Sequence, residues 1–281
     1  MSNYKSEIST WIESLQDISN QFYPSQSIHE KKLDSFFGKH KKLKMEEIPN
    51  SVRNKDAFLI CFTNRCGSNL LTELLYQAGL DVIKTHEPLN FNFAIKLCKK
   101  YKIESFPNYL SHLILNNSNL DNNFFGFKTG SHQLFWMSRK GYLHIFKSLK
   151  FIYIKRRNLI DQAVSLYKAS QNKQWHSKMV SSISDDCLEC DPFEVLKVLK
   201  GITQRNSFFE YFFSIHSIDA CTVYYEDLVS DTEGTLKNIF TYLGIKQDDV
   251  LIPSLDRSRI GKQADLFNKN CTEKFISRYR L

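Results

Sequence analysis

The sequence predicts an α/β fold: a phosphate-loop type of parallel sheet flanked by helices, preceded by an N-terminal helical extension. Three observations predict it. Short apolar strands alternate with longer stretches of helical periodicity, the pattern of a parallel sheet covered on both faces. One strand, residues 57–62, runs into the polar loop Thr63-Asn64-Arg65-Cys66-Gly67-Ser68. Leu70, Leu71, Leu74, Leu75 and Ala78 then fall on one helix face. A second apolar strand, residues 151–154, runs straight into Lys155-Arg156-Arg157.

The elements follow in chain order. Residues 1–52 read as an extension in which Ile8, Trp11, Ile12, Leu15 and Ile18 make a helical stripe. The basic run 39–44 follows. It belongs either to an arm packed on the core or to a membrane-surface contact. After the first strand and its helix, Gly79 sits where a helix end favours a left-handed residue. Residues 80–84 read as a second strand, 91–115 as broken helix, 124–128 as a strand and 141–148 as a helix. Asp191-Pro192-Phe193-Glu194 opens a long helix, with an acceptor at the cap and proline in the first turn. Residues 221–225 form a strand, and Ser230-Asp231-Thr232-Glu233 reads as a capping box for a helix ended by Gly244. The tail from 254 is polar and basic. One domain, 53–281, plus the extension 1–52 is the simplest organisation.

Composition narrows the function. The chain has 281 residues, 42% hydrophobic and 24% charged, as a folded globular protein does. A net charge of +8 favours anionic ligands. Seven scattered cysteines do not resemble a disulfide framework, so a reducing, cytoplasmic setting is expected. Cys187 and Cys190 read as two structural thiols, and no metal-ligand set stands out. No secretory leader is visible, and no apolar run approaches the ~20 residues of a membrane span.

Two stretches carry the chemistry. A strand, a small-residue loop and a helix N-terminus aim several backbone N–H groups at one anion. Arg65 adds a planar, fixed positive charge. The loop lacks a Gly-Lys-Ser or Gly-Lys-Thr ending, which argues against a nucleoside triphosphate with magnesium and so against a small-molecule kinase. At the second stretch, Arg157 at a strand end and Ser165 two turns into the next helix can converge on one phosphate. Open α/β sheets bind ligands at that edge. Two anion sites on neighbouring strand ends suit a nucleotide with phosphates at both ends. A non-enzymatic basic protein binding nucleic acid is the remaining alternative.

From about residue 57 onward the chain resembles the sulfotransferases that use 3′-phosphoadenosine 5′-phosphosulfate, most nearly the bacterial trehalose 2-sulfotransferase type. The resemblance is carried by TNRCGSNLL, by RRNLIDQAVSLYKASQNKQWHS with its Trp175, by YYEDLVSDTEGTLKNIFTYLGI and by KQADLFNKNCTEKF. It implies the sulfotransferase fold. It implies that Arg65, Cys66, Gly67, Ser68 and Asn69 bind the 5′-phosphosulfate. Arg157 and Ser165 would bind the 3′-phosphate, and Gln263, with Lys262 beside it, would lie in a nucleotide-closing segment. The family has serine at 66 and threonine at 69, so Cys66 and Asn69 are departures. Arg65, then Lys128, would stabilise charge on the leaving phosphate. The family's acceptor motif places an acid where this chain has Asn90, and an amide cannot take up a proton. Glu87, or else His86, is therefore the expected base. Asn64, Glu87, Pro88, Asn90 and Phe91 would meet the acceptor, with Phe93, Tyr109, Phe135 and Trp136 as candidate sugar-stacking rings. The implied partner is a carbohydrate or glycolipid acceptor, with no nucleic acid and no metal. Association with the inner membrane surface through the basic N-terminal segment, and a homodimer, complete the expectations.

Overall fold

The computed structural model describes residues 27–38, 45–83, 87–117, 124–175, 188–246, 250–255 and 265–281. The expected α/β class holds. Four strands, β1 (Asp56–Phe62), β2 (Phe124–Thr129), β3 (Ser148–Lys155) and β4 (Cys221–Tyr224), form one sheet in the order β2-β1-β3-β4. β1 and β2 run parallel, with Asp56 opposite Phe124 and Cys61 opposite Thr129. β1 reads as a continuous apolar run because it is buried along almost its whole length.

Helices fill the connections. They are α1 (Ile28–Phe37), α2 (Asn50–Arg53), α3 (Ser68–Gln77), α4 (Phe91–Tyr101), α5 (Phe106–Asn117) and α6 (Ser131–Arg139). After β3 come α7 (Leu159–Asn172) and α8 (Pro192–Ile215), and after β4 come α9 (Tyr225–Ser230), α10 (Thr232–Leu243) and α11 (Leu266–Tyr279).

The chain divides into two compact units, Met1–Cys61 with Gly79–Ile152, and Phe62–Ala78 with Tyr153–Leu281. In the first, Phe37, Phe106, Trp136 and Tyr142 pack as a buried aromatic cluster with centroids about 4.5 to 6 Å apart. Trp136 satisfies its indole N–H on Asp34 Oδ1 at 2.7 Å. α1 is fixed there by a capping box, Ser27 with Glu30, and by the ion pair of Glu30 with Arg139 at 2.9 Å. In the second unit, Val164, Tyr167, Val195, Ile202, Cys271 and Phe275 form a core in which α7, α8 and α11 meet. Asp191 caps α8 by accepting from the Phe193 N–H, with Pro192 in the first turn as expected.

Several expectations need correction. Of the strand expected at 80–84, residues 80–83 are described and form none: Val82 makes a single bridge to Gly126. Gly126 gives its N–H to Asp81 O and its carbonyl to Ile83 N, so pairing stops after one residue. The helix expected at 141–148 is a 3-10 turn, Tyr142–His144, and residues 145–147 then lead into β3 at Ser148. Asp231, not Ser230, caps α10, accepting from Gly234 N at 2.9 Å. The tail carries α11, capped by Asp265. Cys190 is not a simple thiol: it forms a disulfide with Cys271, which joins the chain just before α8 to α11. Cys187, the stripe at 8–18 and the basic run 39–44 lie outside the described residues.

Candidate active site

The site is built where β1 ends. The chain turns through Thr63–Gly67, with Cys66 N–H donating to Thr63 O at 3.3 Å. Two residues take left-handed backbone angles, Arg65 at φ 68° and Gly67 at φ 92°. Gly67 is the residue before α3 and offers no side chain to cap it. The first amides of α3 therefore depend on partners other than a capping side chain. A β-carbon at 67 would come within 2.4 Å of Tyr225 Cδ2, so the position must stay bare.

Helix α7 holds this loop in place. Gln162 is fully buried and donates from Nε2 to Thr63 Oγ1 at 2.9 Å and to Asn64 O at 2.8 Å. Thr63 in turn donates to Asn206 Oδ1 at 3.2 Å. One turn further along α7, Ser165 Oγ accepts from Arg65 Nε at 2.9 Å. Arg65 also donates to the carbonyl of Trp175 at 2.9 Å. Burial and the neighbouring charge of Arg156 lower the Arg65 pKa, while Tyr225 pulls the other way. Arg65 and Ser165 line a small cavity with Lys168, Ala169, Asn172 and Gln174. Lys168 is itself buried and ion-paired with Asp265 at the start of α11.

The end of β3 is as basic as the sequence indicates, and each cation there meets a carboxylate. Arg157 closes a two-pronged pair on Asp227, at 2.6 and 2.7 Å. That contact raises the Arg157 pKa and holds the Asp227 carboxyl below its ordinary range. The N–H groups of Arg157 and Asn158 both donate to the Glu226 carboxylate, at 3.0 to 3.2 Å. Arg156 lies 3.6 Å from Asp161 and 3.8 Å from Glu226.

The model of the Stf0 sulphotransferase family matches residues 137–281, just over half of the chain. The chain belongs to that family. The matched span includes β3, α7 and α11 and begins after the 63–69 loop. Among solved structures, the chain is similar to the sulfotransferase domain from the curacin biosynthetic pathway, at 14% identity and a TM-score of 0.50. That match covers 77% of this chain and 82% of that one. It is also similar to the sulfotransferase domain of the Synechococcus PCC 7002 olefin synthase, at 12% identity and a TM-score of 0.46, over 86% of this chain and all of that one. STF9 from Mycobacterium avium matches at 10% identity and a TM-score of 0.46, over 95% and 76%. At these identities the likeness is one of fold. No curated protein matches the sequence.

The remaining expected residues of this sulfotransferase-family chain fall as follows. Ser68 opens α3 and is buried, as is Cys66, which is in no disulfide. Asn64 is exposed and Asn69 half-buried. Lys128 lies near the end of β2, in the pairing register beside Ile60, and is buried. Glu87 is half-buried and its carbonyl accepts from Asn90 N–H at 2.8 Å. Asn90 caps α4, its Oδ1 accepting from the N–H groups of Asn92 and Phe93. Tyr109 donates to the Pro88 carbonyl at 2.6 Å. Tyr109, Phe135 and Trp136 are buried core residues and are not available as stacking rings; Phe91 and Phe93 are half-buried. His86, Lys262 and Gln263 lie outside the described residues. Among the described residues no cluster of three His, Cys, Asp or Glu is arranged to hold a metal ion. No helix among them is long and apolar enough to cross a membrane. Sequence reasoning missed Gln162 and Lys168. Both sit on the α7 face that carries Ser165, three residues before and after it, which is the signal that could have found them.

Proposed function

We propose that this chain transfers the sulfuryl group of 3′-phosphoadenosine 5′-phosphosulfate to a hydroxyl of a carbohydrate or glycolipid acceptor. The observation that carries the reading is the hydrogen bond from Arg65 to Ser165. It joins the loop matched to the 5′-phosphosulfate and the helix matched to the 3′-phosphate. The residues fit such a donor. The loop has a bare, left-handed Gly67 before a helix without a side-chain cap, and Arg65, Ser165 and Lys168 share one cavity. When bound, the donor supplies an activated sulfuryl group on a phosphate leaving group.

On this reading, residues 53–281 carry the transferase and 1–52 extend it. Arg65 and the amides of Cys66, Gly67, Ser68 and Asn69 hold the phosphosulfate end. Ser165 and Arg157 hold the 3′-phosphate, and Gln263 helps close over the nucleotide. Arg65 and Lys128 oppose negative charge as it builds. Glu87 takes the proton of the acceptor hydroxyl, with His86 as its alternate. Asn64, Pro88, Asn90 and Phe91 shape the acceptor side.

The test is thermal unfolding with adenosine 3′,5′-bisphosphate against AMP. A ligand at a hundredfold its dissociation constant stabilises by about 2.7 kcal/mol. The bisphosphate is expected to raise Tm well above the AMP value, and Arg157→Ala to erase the difference while leaving the unliganded Tm near wild type. Equal shifts from the two nucleotides would remove the 3′-phosphate site and the function with it.

A further inference from the structure

We infer that α1, from the segment that sequence reading treated as an extension, supplies one wall of a pocket for an acceptor carrying an oxyanion on a sugar. The inference rests on the sulfotransferase reading for the word acceptor, but the pocket is read from its own geometry. A cavity of about 260 Å³ lies between α1 and the start of α4, lined by Ile28, His29, Lys32, Asn90, Phe91 and Asn92. Asn90 and Phe91 are the residues expected on the acceptor side.

The charges of α1 are sorted by face. Glu30 and Asp34 turn to α6, where they meet Arg139, Lys140 and the Trp136 indole. His29 and Lys32, three residues apart and so on a common face, turn to α4. His29 Nε2 meets the Leu89 carbonyl at 2.8 Å. A carbonyl can only accept, so Nε2 carries the proton and Nδ1 is the ring nitrogen left for a sugar hydroxyl. The Lys32 ammonium stands 5.4 Å from the centre of the Phe91 ring. The ring draws the ammonium to that position and leaves its charge intact.

What remains at the cavity is rich in donors. The acceptor oxygen of Asn90 is already engaged by two backbone N–H groups, at 3.1 and 3.4 Å. The Leu89 carbonyl is engaged by His29. The Asn90 and Asn92 amide N–H₂ groups and the Lys32 ammonium are donors. A neutral sugar offers hydroxyls that both give and accept. An oxyanion only accepts, and matches a lining of ammonium and amide donors. A sugar bearing a carboxylate or a phosphate meets the Lys32 charge with its oxyanion and His29 Nδ1 with a hydroxyl.

The experiment titrates the full chain calorimetrically, without donor, with glucose, glucuronate and glucose 6-phosphate. At least one of the two anionic sugars is expected to bind about tenfold tighter than glucose or better, the scale of a charge-assisted hydrogen bond. The tighter of the two identifies the oxyanion as carboxylate or phosphate. Lys32→Ala should remove that advantage and Lys32→Arg should retain it; Lys32 is exposed, so neither disturbs the core. His29→Gln should weaken glucose and the anionic sugars by a similar factor. Equal binding of glucose and both anions, no binding of either anion, or an advantage that survives Lys32→Ala would each overturn the inference. The bisphosphate melting shift, measured on the same proteins, separates the two readings. A shift that persists in Lys32→Ala while the anion preference is lost supports the pocket. A wild-type chain with no shift defeats sulfuryl transfer, and the sugar titrations then still judge the pocket by the same criteria.

Discussion

Replacing Gly67 with alanine tests the loop at the point where backbone and packing constraints coincide. At φ 92° the substituted residue must sit in the left-handed region, which costs about 1–2 kcal/mol for a residue with a β-carbon. The new carbon would also lie 2.4 Å from Tyr225 Cδ2, 3.2 Å from Cε2 and 3.3 Å from Cγ. Carbon atoms rest at about 3.5–4.0 Å, so the ring has to move by roughly 1 Å. Tyr225 opens α9 and its ring lies 5.1 Å from the Arg156 guanidinium, so it has little freedom to yield. Overpacking of this kind costs about 1–3 kcal/mol. The two contributions come to roughly 2–5 kcal/mol, or about 5–15 °C in Tm for a domain of this size. Gly79 supplies the control: its φ is 93°, and a β-carbon there meets nothing within 4 Å. Gly79→Ala should show the backbone cost alone. Thermal unfolding of the two variants, with and without adenosine 3′,5′-bisphosphate, measures the difference. Gly67→Ala should be the less stable and should lose most of the nucleotide-induced shift. Equal Tm values for the two variants would refute the argument that Tyr225 fixes the loop.

Glu87→Gln should lower turnover by about 10²- to 10⁴-fold, the contribution of a positioned base, and leave the dissociation constant for the bisphosphate nearly unchanged; unchanged turnover removes Glu87 as the base. Burial holds the His144 imidazole below its ordinary pKa of 6.5. The unfolded chain therefore takes up this proton first, so the stability linked to His144 is complete above pH 6.5 and is lost as pH falls through the folded value. The urea midpoint should drop between pH 7.5 and 5.5, and drop less in His144→Asn; identical pH dependence in the two proteins would count against it. Cys190 and Cys271 are 81 residues apart, so their bridge removes up to about 4.5 kcal/mol of unfolded-chain entropy. Thiol titration in denaturant should find two more thiols after reduction than before, and reduction should lower Tm. Equal thiol counts would show that the bridge is absent in solution.

The elements legible in the sequence are those whose burial is continuous or periodic. β1 is a run of apolar residues because it is covered along its length, and α3 shows its stripe because Leu70, Leu71, Leu74 and Leu75 all face inward. α1 and α11 were not legible because each buries so little. α1 sinks Leu33 and Phe37 among polar neighbours, and α11 sinks Cys271 and Phe275. Their caps were the better signal: Ser27 with Glu30, and Asp265. Residues 80–84 look like a strand, yet among the described residues 80–83 only Val82 pairs, because strand pairing is decided by a partner and not by the run itself. The disulfide was hidden for the same reason: 81 residues separate its cysteines, and nothing local marks them as neighbours. At the site, the sequence offered the two basic stretches. It gave no sign that Asp227, 70 residues on, would occupy the Arg157 fork.

That distant carboxylate changes how the cations of the proposed site divide their work. Arg157 is exposed and faces Asp227, so an incoming phosphate competes with an existing partner through well-screened water. Lys168 meets Asp265, and the amides of residues 157 and 158 meet Glu226. At each of these positions a carboxylate already holds the group, so on the proposed reading binding exchanges one oxyanion for another at little net gain. Arg65 is oriented by Ser165 and Trp175, and burial together with the neighbouring charge of Arg156 lowers its pKa, so its charge is costly to keep. An anion placed beside it relieves that cost in a setting of low effective dielectric, where attraction is strongest. Affinity for the nucleotide should therefore come chiefly from Arg65 and the loop amides. Arg157 should instead decide which nucleotide is accepted, because its exchange with Asp227 favours only a ligand that brings a phosphate to that end.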